Sequence, residues 1–291
     1  MPGSGEARTG GIRPLADERP ADERTAHGQP EGDSHGLLVA TGLATARGKR
    51  QRVGSGIDLE VRAGRVLAIT GPNGIGKSTL GLTLAGLLRP AAGTLRATSS
   101  LAGEAGPTPH SWRSRELAAR IGTVFQDPEH QFVARTVREE IAAGPEALGL
   151  PDVADRVDEL LEAFGLTHLA DANPFTLSGG EQRRLAIATV IATRPPVIVL
   201  DEPTSGQDRA TWQAVVDRLG ALADAGTAVV AVTHDRDLVR ALDADEVVLS
   251  ATSATPAERD TTGAEAAART APRAPSSDRS DLWKPTTEVT R

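Results

Sequence analysis

The sequence predicts an α/β fold with a mostly parallel core sheet, an antiparallel edge subdomain and an inserted helical subdomain. Three observations carry this expectation. Strand-like apolar runs alternate with segments of helical spacing, the order that builds parallel sheets. One run, Arg65-Val66-Leu67-Ala68-Ile69-Thr70, enters Gly71-Pro72-Asn73-Gly74-Ile75-Gly76-Lys77-Ser78, which fits the phosphate-loop pattern G-x-x-x-x-G-K-[ST]. Another, Val197-Ile198-Val199-Leu200, is apolar throughout, as in a strand covered on both faces, and it runs into Asp201-Glu202.

Taken in order, residues 1–35 are polar and broken by Pro and Gly, with Ala16-Asp17-Glu18-Arg19 echoed by Ala21-Asp22-Glu23-Arg24. They bury too little apolar surface to offset their ordering entropy and read as a disordered tail. The folded domain is expected over 36–250. It opens with short strands at Leu37-Leu38-Val39 and Ile57-Asp58-Leu59-Glu60-Val61, the second alternating apolar and polar. Leu80 to Leu88 have helical spacing. Thr94–Ala97 returns as an edge strand, 102–114 is loop-like, and Ile121–Phe125 is a strand that runs into Gln126. Residues 127–177 change character, with helical periodicity at Val137–Ala143 and Val153–Phe164, and form the expected inserted helical subdomain. A helix follows Leu177-Ser178-Gly179-Gly180 to about Thr193, where Pro195-Pro196 end it. Residues 210–223 read as a helix, Ala228–Val232 as a strand ending at Thr233-His234, Asp235–Leu242 as a short helix and Glu246–Leu249 as a last strand. Residues 251–291, rich in Ala, Thr, Ser, Pro and Arg, read as a second disordered tail.

The totals narrow the function classes. A formal net charge of −7 gives no footprint for a nucleic-acid partner, and none is expected. The chain has no cysteine, which excludes disulfide staples and thiolate-ligated metals. No apolar run approaches the roughly 18 residues of a membrane-spanning helix, and the N-terminus lacks the apolar stretch of a signal peptide.

Chemistry concentrates in three stretches. Glycines 71, 74 and 76 let the backbone curl with its N–H groups turned inward, at the positive end of the following helix. Lys77 then reaches the β- and γ-phosphates, Ser78 ligates Mg²⁺, and the backbone at Thr79 holds the α-phosphate. Asp201, at the carboxyl end of a core strand, suits Mg²⁺ through water, and Glu202 suits a general base that polarises the attacking water. Ser178, Gly179 and Gly180 open a helix and so form a second anion-binding end.

In this order and spacing the three stretches resemble those of ATP-binding-cassette (ABC) ATPases over about residues 37–250, which implies a P-loop NTPase. The resemblance makes Gln126 the glutamine that meets Mg²⁺ and the nucleotide, Ser205-Gly206-Gln207-Asp208 the D-loop, and His234 the residue that contacts the γ-phosphate. Lys77, Gln126, Glu202 and His234 are then the catalytic set, and ATP and Mg²⁺ the ligands. It further implies a head-to-tail dimer, of identical or related subunits, with ATP between the phosphate loop of one and Ser178-Gly179-Gly180 of the other. Phe125-Gln126-Asp127-Pro128-Glu129-His130-Gln131-Phe132 and Thr136–Ala142 resemble the ATPases of energy-coupling-factor importers of cobalt, nickel and water-soluble vitamins. Asp127 and Glu129 match the acids that grip arginines of a transmembrane coupling subunit, with a substrate-binding membrane subunit alongside, so the expected place is the cytoplasmic face of the membrane. A conventional ABC importer or exporter ATPase is the alternative, and a non-transport ABC ATPase a more distant one. The chain departs from the pattern at Thr45-Ala46-Arg47, where relatives carry an aromatic against adenine and Arg47 is left to stack instead, and at Ile75, Gln207 and Glu181.

Overall fold

The computed structural model describes residues 36–47, 51–250 and 254–256, with the side chains of Arg47, 51–53 and 254–256 set aside. The two expected tails lie outside the described residues, save Ala254–Pro256. That short segment is a strand paired antiparallel with Val247–Leu249.

Two sheets organise the rest. Strands β1 (Gly36–Arg47), β2 (Gln51–Arg62) and β4 (Ala92–Ala97) form an antiparallel sheet in the order β2-β1-β4. Strands β3 (Val66–Thr70), β5 (Ile121–Val124), β6 (Val197–Asp201), β7 (Ala228–Val232), β8 (Asp245–Leu249) and β9 (Ala254–Pro256) form the second, ordered β5-β6-β7-β3-β8-β9. Its first five strands are parallel.

Side-chain alternation along these strands divides the interior between two cores, as a period of two requires. Leu67, Ile69, Val197, Val199 and Val230 pack on one face with the antiparallel sheet and with helix α1 (Lys77–Leu84). Val66, Ile198, Leu200 and Val229 pack on the other. That second core also takes Ile141 of α4 (Val137–Leu148) and Leu160 of α5 (Val153–Ala163). Leu185 of α6 (Gly179–Ala192) and Leu219 of α7 (Arg209–Asp224) complete it. Fully burying each such side chain contributes about 1.5–3 kcal/mol. Between β5 and α6 the described residues hold only helices and 3-10 turns.

The segment expected as loop at 102–114 differs. It includes the end of a four-residue helix α2 (Ser99–Ala102), two 3-10 turns and the start of α3 (Ser114–Ala118), elements too short to leave a helical period. A final helix, α8 (Arg236–Ala241), links β7 to β8. Parallel pairing brings the carboxyl ends of β3, β5, β6 and β7 to one edge, which places Gly71, Gln126, Asp201-Glu202 and Thr233-His234 side by side.

Candidate active site

The loop after β3 is shaped by its glycines. Gly71, Gly74 and Gly76 have φ of 138°, 78° and 106°, values that L side chains rarely adopt. A Cβ on Gly71 would also lie 2.5 Å from the Leu249 carbonyl oxygen. Gly76 is the N-cap of α1 and offers no side-chain cap, which leaves the first N–H groups of the helix available to an anion. Pro72 accepts from the Ile75 amide at 3.4 Å, and Ile75, partly buried, packs against the first core. Asn73 is exposed and Thr79 buried. Lys77, itself buried, donates from Nζ to the carbonyls of Gly71 at 2.9 Å and Pro72 at 3.2 Å. An ammonium has three donors, so one remains for a phosphate.

Ser78 and Asp201 border one cavity, and the Ser78 hydroxyl acts on the carboxylate. Burial raises the Asp201 carboxyl above its ordinary value; the Ser78 hydroxyl opposes this and the Glu202 charge adds to it. Ser78, Asp201 and Gln126 border one cavity of about 490 Å³. Their donors are a hydroxyl, a carboxylate and an amide oxygen. A hard cation such as Mg²⁺ fits such a set, because it keeps waters and phosphate oxygens in its remaining positions. A divalent charge there would also relieve the desolvated carboxylate.

Glu202 has φ 51°, left-handed for a residue with a side chain. Its amide donates to the Val232 carbonyl at 2.8 Å. One carboxylate oxygen lies 2.8 Å from His234 Nδ1, and the other accepts from the Thr233 hydroxyl at 3.5 Å. The Glu202 side chain is 16% exposed and that of His234 67%. The arrangement holds one face of the carboxylate on the ring and leaves Nε2 at the ring's far side, able to meet a phosphate oxygen.

Ser178 caps α6 in a capping box. Its amide and hydroxyl donate to the same Glu181 oxygen at 2.8 and 2.7 Å, and these two bonds hold Glu181 below the usual carboxylate range. Ser178 and Gly179 are exposed, Gly180 half-buried. Among the described residues, no hydrogen bond joins Ser178–Gly180 to the loop, to Asp201-Glu202 or to His234. The side chain of Arg47, at the end of β1, lies outside the described residues, so the adenine contact expected of it does too.

Two features of the site were not expected from sequence. Arg183 of α6, buried, donates from Nη1 to the Asp201 carbonyl at 3.2 Å and to the Glu202 carbonyl, and from Nη2 to the Gln126 carbonyl at 2.8 Å. Its one sequence signal is position, since it shares an i, i+4, i+8 stripe with buried Ile187 and Ile191. The second is Asp235, which caps α8 and accepts from the Thr204 hydroxyl at 2.9 Å and the Trp212 indole at 2.6 Å. It thereby ties the segment after Glu202 to the one carrying His234.

A glycine loop that curls around a phosphate position beside a carboxylate-tipped parallel strand defines a P-loop nucleoside-triphosphate-binding protein. Residues 55–205 match the ABC transporter family, and the chain belongs to that family as an ABC-type ATPase. It is 42% identical over 227 residues to the energy-coupling factor transporter ATP-binding protein EcfA1 of Symbiobacterium thermophilum, covering 74% of this chain and 76% of that one. It is 39% identical over 220 residues to YkoD of Bacillus subtilis, named as an HMP/thiamine import ATP-binding protein. That match covers 76% of this chain and 38% of the longer relative. Among solved structures, cbiO1 from Clostridium perfringens, part of the ABC transporter complex cbiONQ, has a TM-score of 0.63 and 30% identity over 76% of this chain and 87% of that one. A dimeric ATP-binding cassette bound to ADP and Pi has a TM-score of 0.64 and 26% identity over 74% and 94%.

Proposed function

We propose that this chain binds and hydrolyses ATP with Mg²⁺ as a subunit of an energy-coupling-factor type importer of a metal ion or vitamin. One observation carries the reading furthest. The loop, Gln126, Asp201, Glu202 and His234 converge at one sheet edge, while Ser178 and Gly179 lie exposed, Gly180 is half-buried, and none of the three bonds to them. Each set supplies donors for one side of a triphosphate, so a complete site needs a second subunit, identical or related. The dimeric cassette found among similar structures supports this arrangement.

Lys77 gives the β- and γ-phosphates its remaining N–H, and the Gly71–Thr79 backbone wraps the chain of phosphates. Ser78, Asp201 and Gln126 would hold Mg²⁺, which would neutralise charge on the phosphate oxygens. Glu202 takes a proton from the attacking water, and His234 keeps that carboxylate aimed while its own Nε2 faces the γ-phosphate. The outer part of the cavity beside Gln126, walled by Leu82, Leu87 and Phe125 and bordered by Asp127, suits apolar and basic side chains of an amphipathic helix of a membrane partner, while its inner part holds Ser78 and Asp201. Among the described residues no helix is long and apolar enough to cross a membrane, and the chain sits on the cytoplasmic side through that partner.

The test is Glu202→Gln, measured for phosphate release, ATP binding and oligomeric state. Turnover should fall about 100-fold or more, as for loss of a general base, with ATP still bound and the dimer trapped. Unchanged turnover would remove Glu202 from its role. A wild-type chain that releases no phosphate with Mg²⁺, a second subunit and the membrane partner all supplied would remove the function itself.

A further inference from the structure

We propose that Arg183 is a positioning residue: by gripping the carbonyls of Gln126, Asp201 and Glu202 at once, it sets where the Glu202 carboxylate stands and ties that placement to the Gln126 segment. The inference rests on the function proposed above and deepens it.

Gln126 lies just beyond β5, Asp201 ends the neighbouring β6, and Glu202 follows it. Their carbonyls lie where the parallel ladder has run out, and such groups, taken from water, need donors. Arg183 reaches all three from one planar fork, with Nη2 on Gln126 at 2.8 Å and Nη1 shared between Asp201 at 3.2 Å and Glu202, whose carbonyl also accepts from the Ser205 amide at 3.3 Å. A lysine ammonium, a point charge on a flexible stem, does not reproduce that fork.

The grip on Glu202 matters most because of its backbone. At φ 51° this residue holds a conformation that persists only where the surroundings over-determine it. Relaxing to an ordinary φ would swing the Glu202 carbonyl off Arg183 and carry the side chain away from His234 and Thr233. The guanidinium therefore fixes the direction in which the carboxylate leaves the chain. Burial disfavours its charge, while Glu202, Asp201, Asp127 and Glu129 favour it, so the acids after Gln126 act on the same group.

Arg183 also stands five positions beyond Ser178 on one continuous helix. A shift of the Gln126 segment is thus felt at the same time by Glu202 and by the helix that presents Ser178 to the second subunit. A membrane partner pressing beside Gln126 has a physical route to the hydrolytic carboxylate, through one side chain with three bonds.

Arg183→Lys and Arg183→Gln in the full chain with its partners test this, with kcat, KM for ATP and thermal melting measured together. Both variants should lower kcat about 10–100-fold, the scale of a misplaced catalytic group, with KM within about twofold and ATP still bound. Lysine should not rescue, since the fork and not the charge is required. In a Glu202→Gln background Arg183→Lys should change the residual rate little, because the two act through one carboxylate. Wild-type kcat in Arg183→Lys, an undiminished further loss in the Glu202→Gln background, or unfolding of both variants would overturn the assignment. Wild-type protein without turnover would instead bring down the proposed function.

Discussion

Trp212 and Asp235 stand 23 positions apart, and Arg183 lies 57 positions from the carbonyl of Gln126 that it holds. Pairings of this kind leave no local period or motif, which is why neither hub was legible beforehand. Residues whose chemistry is written into short patterns were picked out singly, and the structure sets Ser78 and Asp201 on one cavity and Glu202 2.8 Å from His234 Nδ1. Asp235 allows a prediction at this scale. Burial pushes its carboxyl up, but the bonds from Trp212, the Leu238 amide, Thr204 and the Asp237 amide outweigh that and hold it below the ordinary value. A carboxyl lowered on folding contributes stability that is present above its unfolded value of about 3.9 and lost as pH falls through the folded one. Asp235→Ala removes a helix cap and leaves an indole and a hydroxyl without their acceptor, at a cost of about 1–3 kcal/mol. The melting temperature should fall by roughly 2–10 °C at neutral pH. The gap from wild type should narrow below about pH 4, and a gap of constant size down to pH 3 would contradict this account.

Elements were readable where periodicity ran unbroken. The parallel strands and α4 to α7 lie close to where their apolar spacing placed them, within a few residues at their ends. Strand β1 was expected over three residues and spans Gly36–Arg47. Its pairing with β2 shifts register between Ala40 and Leu43, where Gly42 has φ 54° and its amide donates to Asp58 at 2.7 Å. A bulge of that sort interrupts the two-residue alternation from which a strand is recognised. The turn after β5 is different, since its acids follow no period, and besides their charge on Arg183 their proposed role is toward a partner. Reversing the charge at Asp127 and Glu129 together should reduce transport at least about tenfold and by a larger factor than it reduces ATP hydrolysis. Side-by-side assays in reconstituted vesicles decide it. Equal losses, or retained transport, would take these acids out of the coupling surface.

At the scale of the whole molecule, the two halves of the proposed site do not bond to each other within one chain, and the proposed assembly of two subunits, identical or related, rests on that division. Lys77→Ala and Ser178→Arg should each be inactive alone, the first lacking the loop's cation and the second blocking the helix start. Mixed, they can form pairs in which one intact loop meets one intact Ser178. Roughly a quarter of wild-type turnover should return if subunits exchange at random. No recovery on mixing, with both proteins folded and pairs demonstrated by cross-linking, would exclude a site built from two copies of this chain.

Lys77 spends two of its three N–H groups on the carbonyls of its own loop. The side chain is therefore a strut as well as a hook. Deleting it slackens the curl that every neighbouring amide relies on, besides withdrawing one contact from the phosphates. Any energy ascribed to that single contact from a lysine deletion will be too large, because the same cut collapses the mould around the guest.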